Sequence, residues 1–156
     1  IICFTIAFAL IPIARKLGAK RLHFISLAIG GSALLCMPLL NDTDLLFTLP
    51  FGSGIDVSQI YLFSFGLGIT WASMMAMPYE MLAASIPHGK TGIYMGIFNM
   101  FIVVPMIIQI FSVQYFIYDL LDQNPINIIR LAGIFLIIGG IFSLFVSQPK
   151  PNETLV

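Results

Sequence analysis

Residues 93–121 have the sequence IYMGIFNMFIVVPMIIQIFSVQYFIYDLL, in which Asp119 is the single charged residue. A helix that crosses a lipid bilayer needs about 20 mostly apolar residues, and this run exceeds that length. The whole chain has the same character, because 59% of its 156 residues are apolar and 9% are charged, against about 25% in an ordinary soluble domain. This stretch therefore predicts a membrane-spanning helix in an integral membrane protein.

Around this run, charged and turn residues divide the chain into five apolar segments, at about 1–14, 22–40, 60–86, 93–121 and 128–146. We expect five helices, since open strands leave backbone groups unpaired in hydrocarbon and the alternating pattern of an outer-membrane barrel is missing. The predicted fold class is all-α, a polytopic membrane bundle over residues 1–148 with a tail over 149–156. The chain begins within an apolar run, so we expect a fragment of a longer protein.

Charge balance and missing motifs argue against several other classes. Seven basic residues balance seven acidic ones, which leaves no electrostatic footprint for nucleic acid. The sequence contains no hydrolase elbow, phosphate loop or zinc motif, and His23 and His88 stand alone, so we predict neither an enzyme nor a metal or cofactor site. Cys3 and Cys36 are expected to be free thiols.

Basic residues predict the orientation, because Lys and Arg are retained on the cytoplasmic side. Six of the seven fall in connections that share one side if every segment spans once: Arg15, Lys16, Lys20, Arg21, Lys90 and Lys150. Arg130 alone lies near the other side. We therefore expect a multi-pass protein of a plasma or bacterial inner membrane, with the tail in the cytoplasm and residues 41–59 forming an outer loop.

Small and polar residues follow one face of the third segment. They recur at spacings of three and four, as on a helix: Gly66, Thr70, Ser73, Met77, Glu80 and Ala84. Two interpretations stay open. Small residues permit the close approach of a neighbouring helix, and a polar stripe can also line a water-accessible pathway.

Glu80 belongs to that stripe, roughly 9 Å from the inner end of the segment at 1.5 Å per residue. A carboxylate inside a membrane helix is costly unless it is paired, hydrated or protonated. One interpretation pairs Glu80 with a cytoplasmic Arg or Lys as a latch between helices. The other gives it proton exchange or contact with a substrate hydroxyl, and both interpretations place it toward the bundle interior.

The fourth segment carries a second stripe that we expect to pack against another helix: Gly92, Gly96, Asn99, Val103, Met106 and Ile110. Asn99 and Gln109 are intramembrane amides that either join helices or bind substrate. Trp71, near the middle of the third segment, either stacks on a sugar ring or fills the core. Pro78 and Pro105 lie inside their helices and can kink them.

Three stretches resemble one family. Residues 14–21, ARKLGAKR, resemble the basic cytoplasmic loop of the major facilitator superfamily in its copy between the eighth and ninth helices, with Arg15 in place of the usual acid. Residues 71–82, WASMMAMPYEML, and 87–99, PHGKTGIYMGIFN, resemble the tenth and eleventh helices of sucrose-transporter-like symporters. That branch lies close to the glycoside-pentoside-hexuronide cation symporters. The chain is thus similar to helices eight to twelve of a twelve-helix transporter.

The resemblance implies two bundles that rock about a central site and carry out proton-coupled symport of a disaccharide or related sugar. It implies a proton-coupling or gating role for Glu80 and sugar contacts from Trp71, Ser73, Asn99 and Gln109. Its loop motif comprises Arg15, Lys16, Gly18, Lys20 and Arg21. The implied partners are the lipid bilayer, the sugar substrate and an N-terminal bundle of the same chain.

Two alternatives stay open beside this interpretation. One is a transporter of another solute class on the same fold, and the other is a membrane scaffold subunit without solute flux. Proton coupling predicts a further basic loop and intramembrane acids in an upstream half, whereas a scaffold requires neither.

Overall fold

The computed structural model describes residues 2–40, 43–50, 54–87 and 89–147. This part of the chain is mostly helical, as predicted. Its long helices are α1 (Ile2–Leu17), α2 (Ala19–Cys36), α3 (Tyr61–Ala83), α4 (Thr91–Ser112) and α5 (Pro125–Ser143). A 3₁₀ turn, Met37–Leu39, extends α2, while a π-helical turn, Val113–Ile117, and a short helix, Tyr118–Leu120, extend α4.

Three helical stretches are long and apolar enough to cross a membrane by length and composition. They are Ala19–Leu39 with 21 residues, Thr91–Leu120 with 30 residues and Pro125–Ser143 with 19 residues. α3 has 23 residues but includes the small and polar stripe, and α1 has 16 residues, fewer than the roughly 20 that a span needs. The predicted membrane character therefore has three helices in its support.

The connection between α1 and α2 is shorter than predicted. Arg15 and Lys16 lie in the last turn of α1, and Lys20 and Arg21 lie in the first turn of α2. Gly18 alone separates the two helices, with a φ of 81° in the left-handed region that glycine adopts without steric cost. The basic residues thus flank a one-residue turn and do not form a loop.

Other helix limits differ from the predicted segments by a few residues. α3 ends at Ala83, and α5 begins at Pro125, where the Asn124 side chain accepts a hydrogen bond of 2.9 Å from the backbone N–H of Ile126. Segment 93–121 is not one regular α-helix, because the π-helical turn interrupts it. The predicted tail over 149–156 lies outside the described residues.

A β-hairpin lies within the segment 41–59, which was predicted as an irregular outer loop. β1 (Leu45–Leu49) pairs antiparallel with β2 (Ile55–Ser58), with an irregularity between Leu45 and Phe47. Across the pair, the Thr48 hydroxyl donates a 2.7 Å hydrogen bond to the Asp56 carboxylate. No strand was predicted here, because charged and turn residues dominate the composition around this short apolar run.

α2 lies between α3 and α5, while α1 packs against α3. A close approach joins α2 to α5 through Gly31 and Gly133. A Cβ added to Gly31 would lie 2.6 Å from the Gly133 carbonyl oxygen, and one added to Gly133 would lie 2.8 Å from that of Gly31. Small residues therefore bring the two backbones together, as is common in membrane bundles.

Antiparallel packing places the ends of several helices together at one end of the bundle. The Lys20 ammonium donates 3.3 Å hydrogen bonds to the carbonyl oxygens of Leu144 and Val146, just after α5. Ala19 belongs to the same core cluster as Met77 and Met81, near the end of α3. The start of α2 and the ends of α3 and α5 therefore lie together, and chain connectivity places the hairpin at the opposite end.

α4 stands apart from the other helices. None of its residues is buried, and a Cβ added to Gly92 or Gly96 would meet no neighbour within 4 Å. Among the described residues, no helix therefore packs against the two glycines of this stripe, contrary to the prediction. Among the members of this stripe, Asn99 alone is recorded in contact with α3, through the Tyr79 hydroxyl.

Candidate functional site

Four polar residues join α2 to α3 in what we call the α2–α3 polar seam: His23, Ser26, Thr70 and Ser73. His23 Nδ1 and Ser73 Oγ share a buried hydrogen bond of 2.9 Å. One turn further along, the Thr70 hydroxyl donates a 2.6 Å hydrogen bond to the backbone carbonyl of Ser26. All four side chains are buried, so the seam lies inside the interface and holds the two helices in register.

A matching stripe on α2 explains why the seam forms. Its members recur at spacings of four and three and meet the stripe of α3 residue by residue: Ala19, His23, Ser26, Gly30 and Ala33. Gly30 lies directly over the Thr70 side chain, and Gly66 of α3 lies against Ala33. This spacing was the signal that could have identified the seam from the sequence.

His23 is the main residue whose environment was misjudged. It was predicted to stand alone, but its side chain is 8% exposed and hydrogen-bonded to Ser73 across the interface. Because α2 begins at Ala19 instead of near residue 22, His23 lies one turn inside the helix. For the stripe residues from Gly66 to Met77, the geometry favours close helix packing over a water-accessible pathway.

Ser26 has an unusual hydroxyl. Its Oγ is buried and has no hydrogen-bond partner, the one such side-chain atom among the described residues. A buried hydroxyl without a partner lowers stability, because the desolvation of the group is not compensated. The seam is therefore incompletely satisfied at its centre.

Ser73 and Trp71, both predicted to contact sugar, lie on different faces of α3. Ser73 is fully buried in the α2–α3 polar seam, whereas Trp71 is 58% exposed. Two residues along a helix correspond to a rotation of about 200°. The structure therefore does not bring these two side chains together, and sugar contact by either one stays a prediction.

Glu80 lies at the bundle surface, not toward the interior as expected. It is exposed, and no ion pair with a Lys or Arg is recorded for it within the described ranges. The stripe of α3 is buried down to Met77, where Ala19, the first residue of α2, belongs to the same core cluster. α2 does not extend further along α3, so Glu80 and Ala84 emerge uncovered.

Tyr79 links α3 to α4 at the level of Asn99. The Tyr79 hydroxyl donates a 2.6 Å hydrogen bond to the Asn99 side-chain oxygen, and its ring meets that of Phe98 edge to face at 5.1 Å. Gln109 is exposed and lies about 15 Å further along α4 at 1.5 Å per residue. Asn99 therefore contacts the chain neighbour of Glu80 on α3, while Gln109 lies apart.

Cavities and ligating groups give no further site of this kind. The described residues include no group of three or more His, Cys, Asp or Glu side chains that could hold a metal ion. An apolar groove of about 310 Å³ lies between α1, α2 and α3, and a second one of about 300 Å³ lies on α4 beside Pro105. Neither groove is lined by Trp71, Asn99, Gln109 or Glu80.

Comparison with known proteins adds no family: no family model matches the chain, and neither a curated protein nor a solved structure matches it significantly. The class that the structure itself defines is a helical protein with three apolar helices of membrane-spanning length.

Proposed function

We propose that the chain is part of a secondary active transporter of the major facilitator type, which carries out proton-coupled symport of a disaccharide or related sugar. It supplies helices eight to twelve of that fold, and an N-terminal bundle of the same protein completes the pathway. The fold predicted by the resemblance has five membrane helices in this region, with the C-terminus in the cytoplasm.

The observation that carries the proposal is the polar exposure of α4. Asn99 and Gln109 are exposed on a helical stretch of membrane-spanning length, and Glu80 is exposed beside Tyr79, the α3 residue that contacts α4. Amide and carboxyl groups are costly in hydrocarbon and face a bundle interior or a water-filled cavity. This side of the bundle is therefore suited to a polar pathway completed by further helices.

The arrangement of α3 supports five spans over three. α3 has 23 residues, about 35 Å at 1.5 Å per residue, and runs antiparallel along α2 from Gly66 beside Ala33 to Met77 in the cluster of Ala19. If α2 crosses the membrane, α3 crosses beside it. α1 packs against α3 in turn.

Uptake of labelled maltose and sucrose by the complete protein in proteoliposomes tests the proposal, with and without an inward proton gradient. We expect gradient-driven accumulation of one of the sugars. Sugar flux that does not depend on the gradient would contradict proton coupling. Flux of a different solute would contradict the sugar specificity but not the transport function.

Glu80→Gln tests the role of the carboxylate. We expect insertion to be normal and gradient-driven accumulation to fall at least tenfold, while exchange of sugar between equal concentrations persists. Asp119→Asn is the matched control, because Asp119 lies at the opposite end of the bundle and bonds Gln123. Equal accumulation by the two variants would contradict a proton role for Glu80.

A membrane scaffold without flux is the second candidate, because the small-residue interfaces of α2 require no pathway. It predicts no solute flux at all, together with loss of a protein partner when the exposed face of α4 is altered. The uptake measurement separates the two candidates directly.

A further inference from the structure

We propose that an anionic phospholipid binds in the groove between α1 and α2, with its headgroup phosphate on Lys16 and Arg21 and an acyl chain along the apolar walls. The site rests on the membrane character of the chain and is independent of sugar transport. Lys16 and Arg21 belong to the basic loop motif, but neither the proposed sugar contacts nor the proposed proton role of Glu80 involves them.

The groove has the chemistry of an acyl-chain site. It measures about 310 Å³, which is within the roughly 300–1,000 Å³ typical of ligand pockets. Apolar side chains line almost all of it, and it is open to the bundle surface along Ile6, Ala9 and Ile13 of α1 and Ile25 and Ile29 of α2. Ser26 is the one polar residue in the lining, and its side chain is buried, so a hydrocarbon chain matches the surface that the groove presents.

The basic turn lies at the mouth of this groove. Leu17 and Leu22 line the groove on either side of Gly18, so the groove reaches the turn itself. Lys16 follows Ile13 by three residues, and Arg21 precedes Ile25 by four, so each shares a helix face with a groove residue. A single lipid molecule can therefore place its phosphate at the turn and its acyl chain in the groove.

Charge favours an anion at this position. Lys16 and Arg21 are exposed, and the described residues provide neither with a recorded acidic partner. Gly18 caps α2 without a side-chain hydrogen bond, so the first backbone N–H groups of an 18-residue helix add the positive end of its dipole. Basic residues beside a membrane helix attract anionic lipid by about 1 kcal/mol each, or about fivefold in affinity.

Lipid selectivity of the purified complete protein tests the site. We compare nanodiscs of phosphatidylcholine alone with nanodiscs that also contain phosphatidylglycerol, and we count protein-bound phosphatidylglycerol after extraction. Wild type should retain it, and Lys16→Gln/Arg21→Gln should bind it about 25-fold more weakly at low salt. The charge-matched control Lys90→Gln/Arg130→Gln should retain it, and equal loss in both double variants would overturn the site.

Two further arms separate the headgroup from the chain. Ala9→Phe fills the groove, whereas Ala7→Phe places the same side chain at an exposed position outside it. Loss of phosphatidylglycerol in the first variant alone supports the acyl-chain site. Equal retention in both, or full competition by inorganic phosphate or glycerol phosphate, would leave a free-anion site and overturn the lipid.

Salt dependence guards against misfolded variants, because it uses wild type only. Retention of phosphatidylglycerol should fall steeply as ionic strength rises, since the proposed contact is electrostatic and near the surface. Retention that is independent of salt would overturn the headgroup contact even if a variant failed to fold. The sugar-uptake assay is separate, so failure of this proposal and failure of the transport proposal are distinguishable.

Discussion

At the scale of single residues, two buried serines in the α2–α3 polar seam have opposite environments. Ser73 Oγ shares a hydrogen bond with His23, whereas Ser26 Oγ has no hydrogen-bond partner. The backbone carbonyl of Ser26, not its hydroxyl, accepts the hydrogen bond from Thr70. Both side chains are almost fully excluded from solvent. Because a buried polar group costs free energy unless it is paired, the same substitution has opposite consequences at the two positions.

Ser73→Ala should lower the free energy of unfolding by about 1–2 kcal/mol, since it leaves the buried His23 ring without its partner. Ser26→Ala should leave stability unchanged or raise it by a few tenths of a kcal/mol, because it removes an unpaired hydroxyl and introduces the best helix former. Reversible unfolding in mixed micelles of the complete protein measures both. Similar losses for the two variants would show that the seam is not organised as described.

At the scale of helices, the Tyr79 hydroxyl provides a side-chain hydrogen bond between α3 and α4. Tyr79→Phe keeps the ring contact with Phe98 but removes the hydrogen bond to Asn99. Spin labels on α3 and α4 should report a broader distance distribution in this variant. Tyr94→Phe is the control, because no partner is recorded for Tyr94 in the described ranges, and it should leave the distribution unchanged.

Two glycines on α5 separate packing from helix propensity. Gly133→Ala places a methyl group 2.8 Å from the Gly31 carbonyl oxygen and should cost about 1–3 kcal/mol of stability, because both partners at that point are backbone. Gly139→Ala meets no atom within 4 Å and should stabilise the helix by up to about 1 kcal/mol. Unfolding of the two variants under identical conditions gives the comparison, and a neutral Gly133→Ala would place α5 elsewhere.

Hydropathy and periodicity predicted where the helices lie and which faces are small, but not which face meets which helix. The stripe containing Ser73 packs closely on α2, while the similar stripe on α4 contacts α3 at Asn99 and leaves Gly92 and Gly96 without a described neighbour. Spacing alone is the same in both, because the partner is set by the rest of the bundle. Limits such as Ala19 were missed because Lys20 and Arg21 are compatible with a first helical turn as well as with a loop.

At the scale of the whole molecule, α2 and α3 constrain the topology together. Their interface extends from Ala33 beside Gly66 to the core cluster that contains Ala19, Met77 and Met81, so we expect α3 to cross a membrane if α2 does. The hydrogen bonds from Lys20 to the carbonyl oxygens after α5 place the end of α5 at the same end of the bundle as the start of α2. By composition, three helices are apolar enough to span a membrane, and α3 is not one of them. However, α3 packs along α2, which is one of the three.

This coupling predicts that Thr43 lies on the opposite side of the membrane from Lys90 and Ser147. In a background with Cys3→Ser and Cys36→Ser, the single variants Thr43→Cys, Lys90→Cys and Ser147→Cys are labelled in intact cells with a membrane-impermeant maleimide. Because α3 separates the hairpin from the start of α4, we expect labelling of the first variant alone, and of the other two only after permeabilisation. If α3 lay on the surface, positions 43 and 90 would be labelled from the same side, and the five-span arrangement would be excluded.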